Sequence, residues 1–148
     1  MLENIVVGTD GSPTAEKAVR EAAELAAKVG GQVHLVSAYS RGRPASEVRQ
    51  QQREAPEDVA HAIDDKADVE DRLEEAAKVV KDAGAEVDTH AIKGEPADVI
   101  IELAEREQAD LIVVGNKGMT GAKRFVLGSV PNAIAHHAPC NVLIVRTT

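Results

Sequence analysis

Three short stretches of this chain are apolar and β-branched almost throughout. They are Asn4-Ile5-Val6-Val7-Gly8-Thr9, Ala109-Asp110-Leu111-Ile112-Val113-Val114 and Asn141-Val142-Leu143-Ile144-Val145-Arg146. None alternates with polar residues as a half-solvated strand does, so each reads as a strand buried on both faces, the pattern of a parallel sheet covered by helices. The segments between them supply those helices. Ala15, Ala18, Val19, Ala22, Leu25, Ala26 and Val29 keep helical spacing on one face, with Ser12 as cap, Pro13 as first residue and Gly30-Gly31 as stop. Gln32 to Tyr39 reads as a second strand and Glu86 to Ile92 as a third, more polar one.

A long helix is expected from Val59, Ala62 and Ile63 through Val69, Leu73, Ala76, Ala77 and Val80 to Gly84. Another starts at Gly94-Glu95-Pro96, and a last one runs from Ser129-Val130-Pro131, with Ser129 read as its cap, to Ala138-Pro139. Residues 41–57, RGRPASEVRQQQREAPE, break the pattern with two prolines and three consecutive glutamines, and are expected to form a mobile loop. Strands and helices alternating throughout predict a single α/β domain over 1–148, with an open parallel five-stranded sheet and helices on both faces in three layers.

Ligands of such sheets bind beyond the C-terminal strand ends, where the strand order reverses. Two loops reach that edge: Gly8–Ser12 and Gly115–Ser129, GNKGMTGAKRFVLGS. The second has glycines at 115, 118, 121 and 128 and re-enters at a helix N-terminus. Backbone amides free of Cβ interference, with the positive end of a helix dipole, make an anion site suited to phosphate. Lys117, Lys123 and Arg124 add cations to that loop. In the first loop, the Asp10 carboxylate can accept from a ribose hydroxyl or an adenine amine, or hold a phosphate-bound Mg²⁺; it is equally a turn residue. Neither G-x4-G-K-[ST] nor G-x-G-x-x-G after the first strand is present.

The quoted stretches V-V-G-T-D-G-S-P (6–13), D-L-I-V-V-G-N-K-G (110–118), L-G-S-V-P (127–131) and V-L-I-V (142–145) resemble the universal stress protein family over the whole chain. The G-x2-G-x9-G-[ST] signature of its ATP-binding branch is complete as Gly115, Gly118, Gly128 and Ser129. The resemblance implies strand order 3-2-1-4-5 in a Rossmann-like sheet of the adenine nucleotide alpha hydrolase type, and a homodimer through the last strand, Asn141–Arg146. It also implies an adenine nucleotide between the two loops. ATP, with or without Mg²⁺, is the expected ligand, with cyclic AMP or AMP as alternatives. Carried over by position, Asp10 meets the ribose–adenine end and the Ala38 backbone meets the adenine edge. Gly115, Gly118, Gly128, Ser129 and the Val130 amide take the phosphates, and Thr9, Asn116 and Lys117 are expected among the cofactor-binding residues of the two loops. The Ser-Val-Pro opening of the last helix and the Ser-Ala-Tyr second strand bring cyclic AMP into consideration.

The remaining chemistry is sparse. A net charge of −8 and only two aromatics, Tyr39 and Phe125, argue against nucleic acid as a partner. No stretch nears the roughly 18 apolar residues of a membrane span, no signal peptide is read, and one cysteine, Cys140, gives no disulfide framework. A cytoplasmic location is expected. His136 and His137 are neighbours on a helix and point about 100° apart. His34, His61 and His90 have no partner at i+4, so no metal site is expected. No catalytic set is evident. The expected role is nucleotide-dependent regulation in a stress response with little or no hydrolysis, the rivals being a slow ATPase, an adenylating enzyme or a ligand-free dimeric interaction protein.

Overall fold

The structure is a computed structural model that describes residues 2–39, 66–116 and 127–147. Their elements run β1 (Asn4–Gly8), α1 (Pro13–Val29), β2 (Gln32–Tyr39), α2 (Lys66–Asp82), β3 (Glu86–Lys93), α3 (Pro96–Arg106), β4 (Leu111–Gly115), α4 (Ser129–His137) and β5 (Asn141–Val145). All four strand pairings are parallel, and the strand order is β3-β2-β1-β4-β5, as expected. The 41–57 segment and the expected helical residues Val59, Ala62 and Ile63 lie outside the described residues.

Period-two alternation along the central strands sorts their side chains onto two faces. Ile5, Val7, Val33, Leu35, Leu111 and Val113 pack with α1 and α2; Val6, Val36, Ile112 and Val114 pack with α3 and α4. With no aromatic among the buried residues of either cluster, Tyr39 packing only at the margin of the first, the layers close on small residues. Ala18, Ala22, Ala23 and Ala26 of α1 are fully buried and let the helix approach the sheet. Each fully buried Val, Leu or Ile contributes about 1.5–3 kcal/mol over its exposed state.

The helix ends follow the sequence signals with one correction. Ser12 Oγ accepts from Ala15 N at 3.2 Å, Pro13 opens α1, and Gly30 closes it at φ 73°. In α4 the cap is Gly128 and not Ser129. The Gly128 carbonyl accepts the first helical bond from Asn132 N at 3.0 Å, which makes Ser129 the first helical residue. The sequence favours Ser129 by side-chain preference, but the backbone places it one position inside the helix.

At the N-terminal end of the sheet Asp110 clamps β1 to β4. Its Oδ2 accepts from Glu3 N at 2.8 Å and from Asn4 N at 3.0 Å, while its own amide donates to the Asn4 carbonyl at 2.9 Å. The bonds from Asn4 and then Glu3 hold the carboxyl below its ordinary value. A carboxylate depressed in the folded state stabilises above its unfolded pKa and loses that contribution as pH falls through the folded one. Asp110→Ala is therefore expected to melt lower than the wild type at neutral pH. The gap should close as pH falls below about 4, the ordinary Asp range; thermal melts across pH check this.

Candidate functional site

Because β1 lies between β2 and β4, the chain leaves β1 toward one side of the sheet and β4 toward the other. A crevice opens at their C-terminal ends. A cavity of about 310 Å³ occupies it, formed where β1, β2 and β4 end against α2, the β3–α3 turn and the start of α4. That volume lies at the lower end of the range for small-molecule sites, about 300–1,000 Å³. Five of the expected site residues line it: Thr9, Asp10, Ala38, Gly115 and Val130. Two loops over 100 residues apart in sequence thus meet at one cavity.

Each wall has a local cause. Gly8 ends β1 where a Cβ would run into the Ile100 side chain, which would have to move aside from the β1–α3 contact. Thr9 N then donates to the Val36 carbonyl at 2.9 Å, which holds the loop against β2. Asp10 Oδ1 accepts from Ser12 N at 2.9 Å, an Asx turn that fixes the carboxylate at the cavity edge. Gly11 takes φ +80°, and a Cβ there would sit 2.7 Å from Arg72 Cδ. Asp10 is thus both a turn residue and a cavity residue.

The far wall is built from the ends of the glycine-rich stretch. Gly128 N donates to the Asn116 carbonyl at 3.0 Å, which brings the two ends of the loop together. Gly128 therefore stands beside Asn116, and neither Gly128 nor Ser129 is among the residues lining the cavity. The first turn of α4 has two amides without an intrahelical acceptor, Ser129 N and Val130 N, since Pro131 has none. Lys117 and Gly118, together with Lys123 and Arg124, lie outside the described residues.

Asn116 has a more constrained place than its spacing indicated. Its Oδ1 accepts from Thr147 N at 2.9 Å and from Thr147 Oγ1 at 2.7 Å, and its own amide donates to the Val145 carbonyl at 2.9 Å. Thr147 is buried and its carbonyl takes Lys17 Nζ at 3.0 Å. The Asn116 carboxamide oxygen thus ties the loop to the segment after β5, and Asn116 is not among the residues lining the cavity.

Sequence reasoning missed Arg72 and Glu95, both in the cavity lining. Arg72 Nη1 reaches the Asp10 carbonyl at 3.4 Å. It falls between Val69 and Ala76 at helical spacing, on the flank of the buried stripe of α2, and that offset was its only signal. The cavity therefore carries acceptors from Asp10 and Glu95, a guanidinium from Arg72 and the positive end of α4. Cys140 is half-buried beneath α3 and α4, and burial, then Asp110, pushes its thiol above the ordinary value, which keeps it a packing residue at neutral pH. The exposed rings of His136 and His137 are 6.4 Å apart and tilted by 55°.

The family model described as the universal stress protein family matches residues 1–146. A universal stress protein of Mycobacterium tuberculosis is 35% identical over 147 residues, covering 99% of this chain and 97% of that protein. Among solved structures, a universal stress protein in complex with cAMP is similar with a TM-score of 0.73 and 34% identity, covering 99% of this chain and 98% of the other. A universal stress protein from Archaeoglobus fulgidus in complex with dAMP has a TM-score of 0.67 and 29% identity, covering 97% and 98%.

Asn116→Ala leaves two buried donors of Thr147 without an acceptor. It is expected to cost about 1–3 kcal/mol, the penalty for unpaired buried polar groups. Urea denaturation of wild type and variant measures the difference.

Proposed function

The chain belongs to the universal stress protein family, and we propose that it is an adenine-nucleotide-binding regulator whose ligand is ATP. The observation that carries this reading is the single cavity where the ends of β1, β2 and β4 meet the N-terminus of α4. The residues fit such a ligand from both ends. Asp10 and the Thr9 segment accept from ribose hydroxyls, and the Ala38 backbone meets the adenine edge. At the other end Gly115, Gly128, Ser129 and the Val130 amide receive phosphate, joined by Lys117 and Gly118. Where Mg²⁺ accompanies the phosphates, Asp10 is the carboxylate at hand.

Cyclic AMP is the second reading. It is favoured by the similar structure that contains cAMP and by α4 itself, where Pro131 leaves two first-turn amides for phosphate. In either case binding and not turnover is the output. Asp10 is the candidate base, and the bond from the Ser12 amide to its Oδ1 engages that carboxylate in the turn. The protein acts in the cytoplasm as a homodimer joined through Asn141–Arg146. β5 is an edge strand, apolar along its length with Leu143 exposed, and a two-fold partner would cover that edge.

Calorimetric titration with ATP, ADP, AMP and cyclic AMP tests the reading. The wild type is expected to bind one of them, and a Gly118→Val, Gly128→Val double variant to bind it more than about tenfold more weakly, a loss above about 1.4 kcal/mol. A folded wild type that binds none of the four overturns the proposal. Sustained hydrolysis abolished by Asp10→Ala would overturn its non-enzymatic part.

A further inference from the structure

Outside the residues that line the cavity, strand pairing places two histidines together on one face of the sheet. β2 and β3 run in parallel register, His34 opposite Asp88 and Val36 opposite His90. Both rings therefore lie on the α3 face, two residues apart along the strands. His34 is 3% exposed, and its Nδ1 stands 3.2 Å from His90 Nε2. On its other side His34 Nε2 donates to Asn4 Oδ1 at 3.1 Å. That bond fixes the tautomer and turns the Nδ1 lone pair toward His90. The third member is Glu107, the capping residue at the C-terminal end of α3. One ligand atom from each of His34, His90 and Glu107 falls within 4.8 Å of the others. None of the three lines the nucleotide cavity.

We propose that His34 Nδ1, His90 Nε2 and the Glu107 carboxylate form a site for one divalent ion of the zinc class, pinning the edge strand β3 to β2 and to the end of α3. Two imidazole nitrogens on a tetrahedral ion with bonds of about 2.0–2.1 Å stand about 3.3 Å apart, close to the spacing here. Two His and one carboxylate, with a fourth position left for water, is a zinc donor set. A carbonyl holding the far nitrogen of a ligating histidine is the usual outer support, and Asn4 supplies it. The negative end of the α3 dipole adds to the attraction for a cation.

The competing arrangement is a plain hydrogen bond between two neutral rings that satisfies buried His34. It accounts for the 3.2 Å contact but gives Glu107 no part. Competition for that carboxylate is weak: exposed Arg106 Nε lies 3.8 Å from Glu107 Oε1, and such pairs contribute little. Asp88 is engaged by Gln32 Nε2 at 2.6 Å and stays out of the donor set.

The test uses the full chain, free of any tag and stripped with chelator. Zinc chloride is titrated by calorimetry, and cobalt(II) is followed by the visible absorption of a tetrahedral complex. One zinc equivalent is expected, with cobalt displaced by zinc and the melting temperature raised as binding stabilises the native state. His90→Gln and Glu107→Gln should each weaken zinc at least about tenfold, and a His136→Gln, His137→Gln pair should leave it unchanged. Glu107→Gln, at a half-buried helix end, serves if His90→Gln fails to fold. Absence of zinc and cobalt binding, or binding that survives both Glu107→Gln and His90→Gln, overturns the proposal.

Discussion

Everything functional in this protein depends on β1 pairing with β2 on one side and β4 on the other. The pairing is parallel, and the chain crosses from one half of the sheet to the other between β3 and β4. A sheet wound this way diverges at its C-terminal edge, and the loops after β1 and β4 leave in opposite directions. The crevice is thus a consequence of topology before any side chain is chosen. Asp110 secures the pair from below with a carboxylate on two amides of the β1 start. From above, Asn116 anchors the loop after β4 to Val145 and Thr147. The ends of both strands are held, and the cavity between them can keep one shape.

Two regions of the sheet divide the chemistry. The C-terminal edge gathers backbone amides, glycines and a mixed set of Asp10, Glu95 and Arg72. The α3 face of β2 and β3 gathers imidazoles near the Glu107 carboxylate at the C-terminal end of α3, where the dipole favours cations. Asn4 touches both this group and the Asp110 clamp, giving its amide to Asp110 and its side chain to His34. A central strand of five residues thereby joins the clamp, the histidine pair and, through Gly8 at its other end, the cleft.

How much of this was legible in the sequence follows from the range of each signal. Val6-Val7 and Ile112-Val113-Val114 announce buried strands because burial on both faces demands apolar residues at every position. The cap at Ser12 and the stop at Gly30 are local, and both hold. The cap of α4 did not, because Gly128 and Ser129 are both acceptable there and the bond to Asn116 decides between them. Arg72 was unreadable as a cavity residue, since its partner is a carbonyl 62 residues away. His34 and His90 are separated by 56 residues and meet only through strand register, which sequence spacing does not contain. Asp10 was legible from the rule that ligands bind beyond the C-terminal strand ends, whereas Ala38 and Val130 came only from the family resemblance; all three line the same cavity.

The central claim is that adenine nucleotide occupies the crevice between β1 and β4, and amide NMR of the isotopically labelled chain tests it most directly. Addition of ATP or cyclic AMP is predicted to shift the amides of residues 8–12, 37–39, 115–116 and 129–130, while those of Asn4, Gln32 and Asp110 at the opposite edge stay in place. Shifts confined to that opposite edge or to the β5 surface, or no shifts with either nucleotide at saturating concentration, would contradict it.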